Sequence, residues 1–278
     1  MLKIDAHQHF WKFDEREYGW ITEGMRVLRR DFLPADLQRE MAAVGVSGSI
    51  AVQARQTVEE TNWLLELAGQ NEFIKGVVGW VPLITPSVGG VIEQLAESPK
   101  LRGLRHVLQD EPDENYILRE DFNRGIRELA RFDLTYDILI FERHLPQTIK
   151  FVDKHPQQRF VVDHLAKPRV RDGVISPWRE NIRELAKREN VWCKISGLAT
   201  EADHSKWTEG QLMPYMETVL EAFGPKRVMF GSDWPVCSLA VGYGRWAELV
   251  DKLTVKLPLN EQLEIWGDSA VRAYRVVI

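Results

Sequence analysis

The chain has 278 residues, 44% of them hydrophobic and 28% charged, with a formal net charge of −5. That length suits one (β/α)8 barrel of about 250 residues, and the balance is that of a chain able to bury a sizeable core. It excludes the basic stripe that phosphate-backbone binding needs, and no apolar run reaches the ~20 residues of a membrane span, so neither nucleic acid nor a bilayer is an expected partner.

Eight β-rich runs alternate with amphipathic segments from end to end, the pattern of a parallel sheet with crossover helices. The first, 2–7, leads past His9 into a long loop, 10–33, rich in aromatic and charged residues and suited to an active-site rim or lid. Pro34-Ala35 opens a helix that ends near Gly45. The second run, 46–53, precedes a helix over 59–70. The third, 74–82, precedes Pro86-Ser87 and another helix. The fourth, 101–107, is followed by a second rim candidate, 111–121, and a helix over 122–131. The fifth, 134–140, precedes a helix over 145–155 with Pro146 in its first turn, where a missing N–H costs nothing. The sixth, 159–164, is followed by Ser176 as a helix cap, Pro177 at the first helical position and a helix over 179–189. The seventh, 191–196, precedes a helix over 211–223 that Gly224-Pro225 stops, and the eighth is 227–233.

The runs are nearly continuous in apolar residues, as in Val77-Val78-Gly79-Trp80-Val81, which implies burial on both faces. The first strand ends in His7-Gln8-His9, where an open dinucleotide-binding sheet would carry a glycine-rich turn. The expected fold is therefore a (β/α)8 TIM barrel, and with no linker or internal repeat the expected organisation is a single domain over 1–278. Cys193 and Cys237 are too few for a disulfide framework and lack zinc-knuckle spacing. With no basic-then-apolar leader at the start, the expected setting is the reducing cytoplasm.

Side chains on a strand alternate with period two, so His7 and His9 leave the same face and can converge on one ion or substrate. Asp233, in Gly231-Ser232-Asp233-Trp234-Pro235, stands at the same end of the barrel, where a carboxylate can ligate a metal or activate water; its plain alternative is a helix cap. In Val162-Asp163-His164, alternation lets only one of the last two face the lumen, and His164 is the candidate electrophile or proton donor. Gln53, Trp80, Arg105, His106, Tyr136, Asp137, Lys194 and Ser196 complete the ring of candidates. Lys194 and Arg105 stand out because a charge in a barrel strand is costly unless paired or facing the mouth. His144, His155 and His204 are expected on the solvated surface, and both cysteines in packing.

Five stretches taken together resemble the amidohydrolase superfamily, its amidohydrolase-2 branch and, within that, the sugar-acid lactonases. They are Ile4-Asp5-Ala6-His7-Gln8-His9-Phe10-Trp11, Arg102-Gly103-Leu104-Arg105-His106, Asp163-His164-Leu165-Ala166-Lys167-Pro168, Cys193-Lys194-Ile195-Ser196-Gly197-Leu198 and Phe230-Gly231-Ser232-Asp233-Trp234-Pro235. The resemblance implies hydrolysis of a sugar-acid lactone such as L-fucono-lactone, with Asp233 as general base and His164 or a metal polarising the carbonyl. Gln53, Arg105, His106, Lys194, Trp80 and Trp234 would bind substrate. It implies one divalent metal, zinc, on His7, His9 and Asp233, or none, because the fifth strand lacks the histidine that metal-binding members use. A metal-dependent decarboxylase of the same branch and a non-catalytic sugar-acid-binding barrel are the alternatives. Monomer and homodimer both stay open.

Overall fold

In the computed structural model, which describes residues 3–277, eight parallel strands pair in chain order: β1 (Ile4–Gln8), β2 (Gly48–Val52), β3 (Ile74–Gly79), β4 (Leu101–Val107), β5 (Thr135–Leu139), β6 (Phe160–Val162), β7 (Val191–Ile195) and β8 (Val228–Phe230). One helix follows each: α1 (Pro34–Ala43), α2 (Val58–Gln70), α3 (Val88–Leu95), α4 (Glu120–Leu129), α5 (Leu145–Asp153), α6 (Trp178–Leu185), α7 (Glu209–Phe223) and α8 (Tyr243–Thr254). The expected TIM barrel is the observed fold. Strand positions are buried on both faces almost throughout, as the unbroken apolar runs require.

The two ends of the chain meet at the seam between β1 and β8. The Asp233 N–H donates to the His7 carbonyl at 2.8 Å, and the His9 N–H to the Trp234 carbonyl at 2.7 Å. Beneath them the buried Asp5 carboxylate accepts from the Ser232 N–H at 2.8 Å and its hydroxyl at 2.6 Å. Strand pairing and this side-chain staple together hold the first and last strands at one mouth.

Helix boundaries follow local chemistry. Thr57 caps α2 by accepting from the Glu60 N–H, prolines sit in the first turns of α1 and α5, and Gly224, with φ +69°, ends α7. The C-terminal helix α9 (Leu259–Leu263) passes through a wide π turn, 264–268, into α10 (Ser269–Tyr274), which plugs the barrel floor. There Ala270, Ala273 and Tyr274 pack against Ile4, Ile50, Val78, Val161 and Met229.

Several details differ from expectation. Pro177, not Ser176, occupies the cap of α6, and Leu2 of the first run lies outside the described residues. His144 and His155 are buried, not solvated: His155 Nε2 meets Asn123 Oδ1 at 2.8 Å, and His144 Nδ1 accepts from the Phe141 N–H. The two flank α5 at either end, and the chain there packs them inward, which a histidine's own character does not reveal. β6 stops at Val162 because His164, Leu165, Ala166 and Lys167 all take positive φ, 52°, 54°, 58° and 46°, a left-handed turn closed by the Lys167 N–H on the His164 carbonyl.

Candidate active site

The strand ends bring His7, His9, His164 and Asp233 together at the C-terminal mouth. His7 Nε2 lies 3.1 Å from His9 Nε2 and 3.7 Å from Asp233 Oδ1, and His9 Nε2 is 3.4 Å from that same oxygen. His164 Nε2 stands 3.9 Å from Asp233 Oδ1, while its Nδ1 meets the Ser196 hydroxyl at 2.8 Å. The left-handed turn is what delivers His164. It also breaks the alternation that would have sent Asp163 outward, so both residues serve the interior. Gly197, at φ +61°, makes room: a Cβ there would sit 2.5 Å from His164 Nδ1 and 3.0 Å from Asp233 Oδ2.

Under this layer lies a fully buried ionic lattice. Lys194 Nζ contacts Asp137 at 2.6 Å, Asp163 at 2.9 Å and His7 Nδ1 at 3.1 Å. Asp163 also takes Arg105 at 3.0 Å and faces His7 Nδ1 at 3.2 Å. Tyr274, from the floor helix, donates to Asp137 at 2.8 Å. Each charge is matched by an opposite one, the condition under which buried ions are tolerated.

Burial pushes His7 well below the usual imidazole range, Lys194 and His164 adding to the effect and Asp163 opposing it. Burial likewise holds His164 down at about 4, against the pull of Asp233 and Asp163. Both rings are therefore neutral at pH 7. Burial alone would raise Asp233, but His164, His9 and His7 outweigh it and hold the carboxyl well below its ordinary value. The Asp163 carboxylate is depressed in the same way, by Lys194, His7 and Arg105 against burial.

The donor set fits a divalent metal. His9 Nδ1 lies 2.8 Å from the Val52 carbonyl, so its proton is there and Nε2 presents a lone pair. The Arg105 guanidinium, a donor only, stands 3.3 Å from His7 Nε2 and calls for a lone pair there too, with the proton on Nδ1 beside Asp163. Separations of 3.1–3.7 Å among these atoms bracket the roughly 3.3 Å between ligands set tetrahedrally about zinc at 2.0–2.1 Å. The ligand atoms of His7, His164 and Asp233 also lie within 4.8 Å of one another. Asp137, on the fifth strand where a histidine was missed, is engaged by Lys194 and Tyr274 and stays out of this group.

Above the four residues opens a cavity of about 410 Å³. Of the residues predicted for substrate, Gln53 and Arg105 line it, beside His9, His164 and Asp233. Gln53 Oε1 accepts from Arg105 at 3.2 Å, while its buried Nε2 has no partner among the described residues. The structure does not bring the other four to the cavity. His106 turns outward, meeting Glu111 Oε1 at 2.6 Å, accepting from the Trp80 indole and stacking on Tyr116. Trp234 packs edge-on against Phe10 and Phe32, and Lys194 belongs to the lattice below. The predicted rim loop 10–33 does reach the cavity, through Arg16, Glu17 and Trp20, and Arg55 and Lys167 complete that rim. The individual rim residues are not among the sequence candidates, though the aromatic-charged character of the loop signals them; Asp163, set aside on strand alternation, faces the interior with His164. A second hollow of about 540 Å³ lies beside the first, between the loops after β5, β6 and β7, and shares only Lys167 with it.

A TIM barrel with an H-x-H pair on its first strand and an aspartate after its last is the architecture of metal-dependent and related hydrolases. The chain belongs to the amidohydrolase family, which matches residues 4–276. It is 43% identical to an L-fucono-1,5-lactonase of Burkholderia multivorans, over 98% of this chain and 96% of that protein. A second L-fucono-1,5-lactonase, from Burkholderia ambifaria, is 37% identical over 99% and 96%. A crystal structure of an amidohydrolase from Burkholderia multivorans with bound zinc superposes with a TM-score of 0.95 at 43% identity, covering all of both chains. Among the described residues no helix is long and apolar enough to cross a membrane.

Proposed function

We propose that this chain works as one barrel domain that opens a sugar-acid lactone of the L-fucono-1,5-lactone kind, with Asp233 as general base. The observation that carries the reading is the buried Asp233 carboxylate facing the cavity among three histidines, which hold it well below the usual carboxyl range against the effect of burial. Full-length similarity to two proteins of that activity supports the substrate class.

A water held on Asp233 attacks the lactone carbonyl and gives its proton to the carboxylate. The ring C–O bond breaks and the proton ends on the departing ring oxygen, yielding the open hydroxy acid. Neutral His164, its Nδ1 2.8 Å from the Ser196 hydroxyl, acts in the tautomer protonated at Nε2 and offers that proton to the carbonyl oxygen as negative charge develops there. Arg105 adds positive potential from below, and the unpartnered Gln53 amide takes a sugar hydroxyl. A lactone is an activated ester, so a weakly basic carboxylate suffices. The residues that would hold a divalent ion are His7, His9 and Asp233, with His164 at the open side, and a bound zinc supplies Lewis-acid polarisation of the carbonyl.

The test is a panel of six-carbon aldonolactones with acid release followed at constant pH. Opening of at least one far above the buffer rate is expected, and a panel hydrolysed no faster than in buffer overturns the reading. Metal analysis with activity before and after chelation decides whether the ion is needed.

A further inference from the structure

Among the exposed large apolar side chains of the described residues, Trp20 alone borders the cavity, and it is 38% exposed there. Leaving an indole in water has a cost, so its position asks for an occupant. The ring is also clamped. Its Nε1 donates to the Ala54 carbonyl at 3.1 Å, and it meets Trp11 edge-to-face at 5.7 Å between centroids. Trp11 is itself tied by its indole N–H to the Leu28 and Arg30 carbonyls. With the N–H engaged and a T-shaped neighbour, at least one indole face stays open.

The loop that carries Trp20 is latched just ahead of it, at two successive residues. Tyr18 donates to buried Glu60 Oε1 at 3.3 Å, and Glu17 pairs with Arg55. Glu60 in turn accepts from the Ala54 and Arg55 N–H groups at 2.9 and 2.7 Å, so the loops after β1 and β2 are joined through one carboxylate. A platform held this way pays little ordering entropy when a ligand arrives.

We propose that Trp20 is a specificity-determining platform that stacks on the C–H face of the sugar ring, while Gln53 and the rim arginines take its hydroxyls. The proposal rests on the sugar-lactone reading above. A polyhydroxylated ring presents polar edges and apolar C–H patches, and an indole face covers the latter without competing for the former. The oxygens of a sugar ring polarise its C–H bonds toward the negative indole face, and its hydroxyls, held by Gln53, fix the ring flat on that face, whereas a bare lactone has neither and stacks more weakly and in no fixed pose.

The experiment compares wild type, Trp20→Ala and Trp20→Phe on a six-carbon aldonolactone and on δ-valerolactone, with calorimetric titration of the open six-carbon aldonate alongside. Trp20→Ala should lower the ratio of the two kcat/KM values about tenfold, mainly through KM of the sugar lactone, and weaken aldonate binding to a similar degree. Trp20→Phe, which keeps an aromatic face, should recover most of both. An unchanged ratio together with unchanged aldonate affinity, or an equal loss on the two lactones with Phe no better than Ala, overturns the platform. If wild type opens neither lactone, the lactonase reading falls, and the aldonate titration of the same variants still decides the role of Trp20. A wild type that binds no aldonate and opens no lactone overturns both.

Discussion

At the scale of single residues, the site depends on a few atoms placed by unusual backbone. Asp233 and His164 both sit at positive φ, 58° and 52°, a conformation that costs a non-glycine residue roughly 1–2 kcal/mol. Such strain persists only where the surroundings impose it, here the Asp233 N–H bond to the His7 carbonyl and the Trp178 indole bond to the Leu165 carbonyl at 2.7 Å. Replacing Asp233 by Asn keeps the shape and removes the base, so turnover should fall about 10²–10⁴-fold while the circular dichroism spectrum is retained. Near-normal turnover would exclude Asp233 as the base. Gly197→Ala puts a methyl group where His164 and Asp233 approach and forces a left-handed alanine. A loss of roughly 1–3 kcal/mol in urea unfolding is expected, with a larger loss in kcat than in folding. An active, fully stable Gly197→Ala protein would show that the site does not need that clearance.

At the scale of elements, loops on the β1 and β2 sides share one buried carboxylate. Burial pushes Glu60 from 4.5 up to about 7, against the N–H groups of Arg55 and Ala54, the Arg55 guanidinium 4.0 Å away and the Tyr18 hydroxyl. Between those two values the folded chain keeps a proton that the unfolded chain has released, so stability falls as pH climbs from 4.5 to about 7 and levels off above. Glu60→Gln cannot ionise. Wild type should therefore lose roughly 3 kcal/mol relative to Glu60→Gln between pH 4.5 and 8, read from urea unfolding at a series of pH values. A wild-type-to-variant difference that is flat with pH would show that Glu60 titrates normally. The end of β6 also explains why Asp163 and His164 both face the interior. Alternation along β6 predicts opposite directions for Asp163 and His164, yet the strand has ended by then, and a left-handed turn obeys no period of two.

At the scale of the molecule, the lattice of Lys194, Asp137, Asp163 and Arg105 joins β4, β5, β6 and β7, and through His7 and Tyr274 it reaches the first strand and the floor helix. Lys194→Met leaves the buried Asp137 carboxylate without a cation and Asp163 with Arg105 alone. A destabilisation of about 3–5 kcal/mol in denaturant unfolding is expected, the scale on which breaking a buried ion pair acts. If Lys194→Met instead unfolded like wild type and only KM rose, the side chain would be a substrate ligand, as its place in a strand first suggested.

The order of elements, the barrel class and the convergence of His7, His9, His164 and Asp233 at one mouth were legible along the chain. Continuous apolar runs, helix punctuation and an H-x-H at a strand end are local patterns, and they survive folding. Which way Arg105 and His106 face was not legible, because neighbouring strand residues differ only in what packs against them: Asp163 and Gln53 for one, Glu111, Trp80 and Tyr116 for the other. Lys194 shows the same limit. A lysine in an apolar strand announces a partner, and only closure of the barrel decides that the partners are carboxylates from β5 and β6 in place of a ligand at the mouth. Composition and periodicity are properties of a segment, whereas charge pairing and cavity lining are properties of segments brought together from distant parts of the chain.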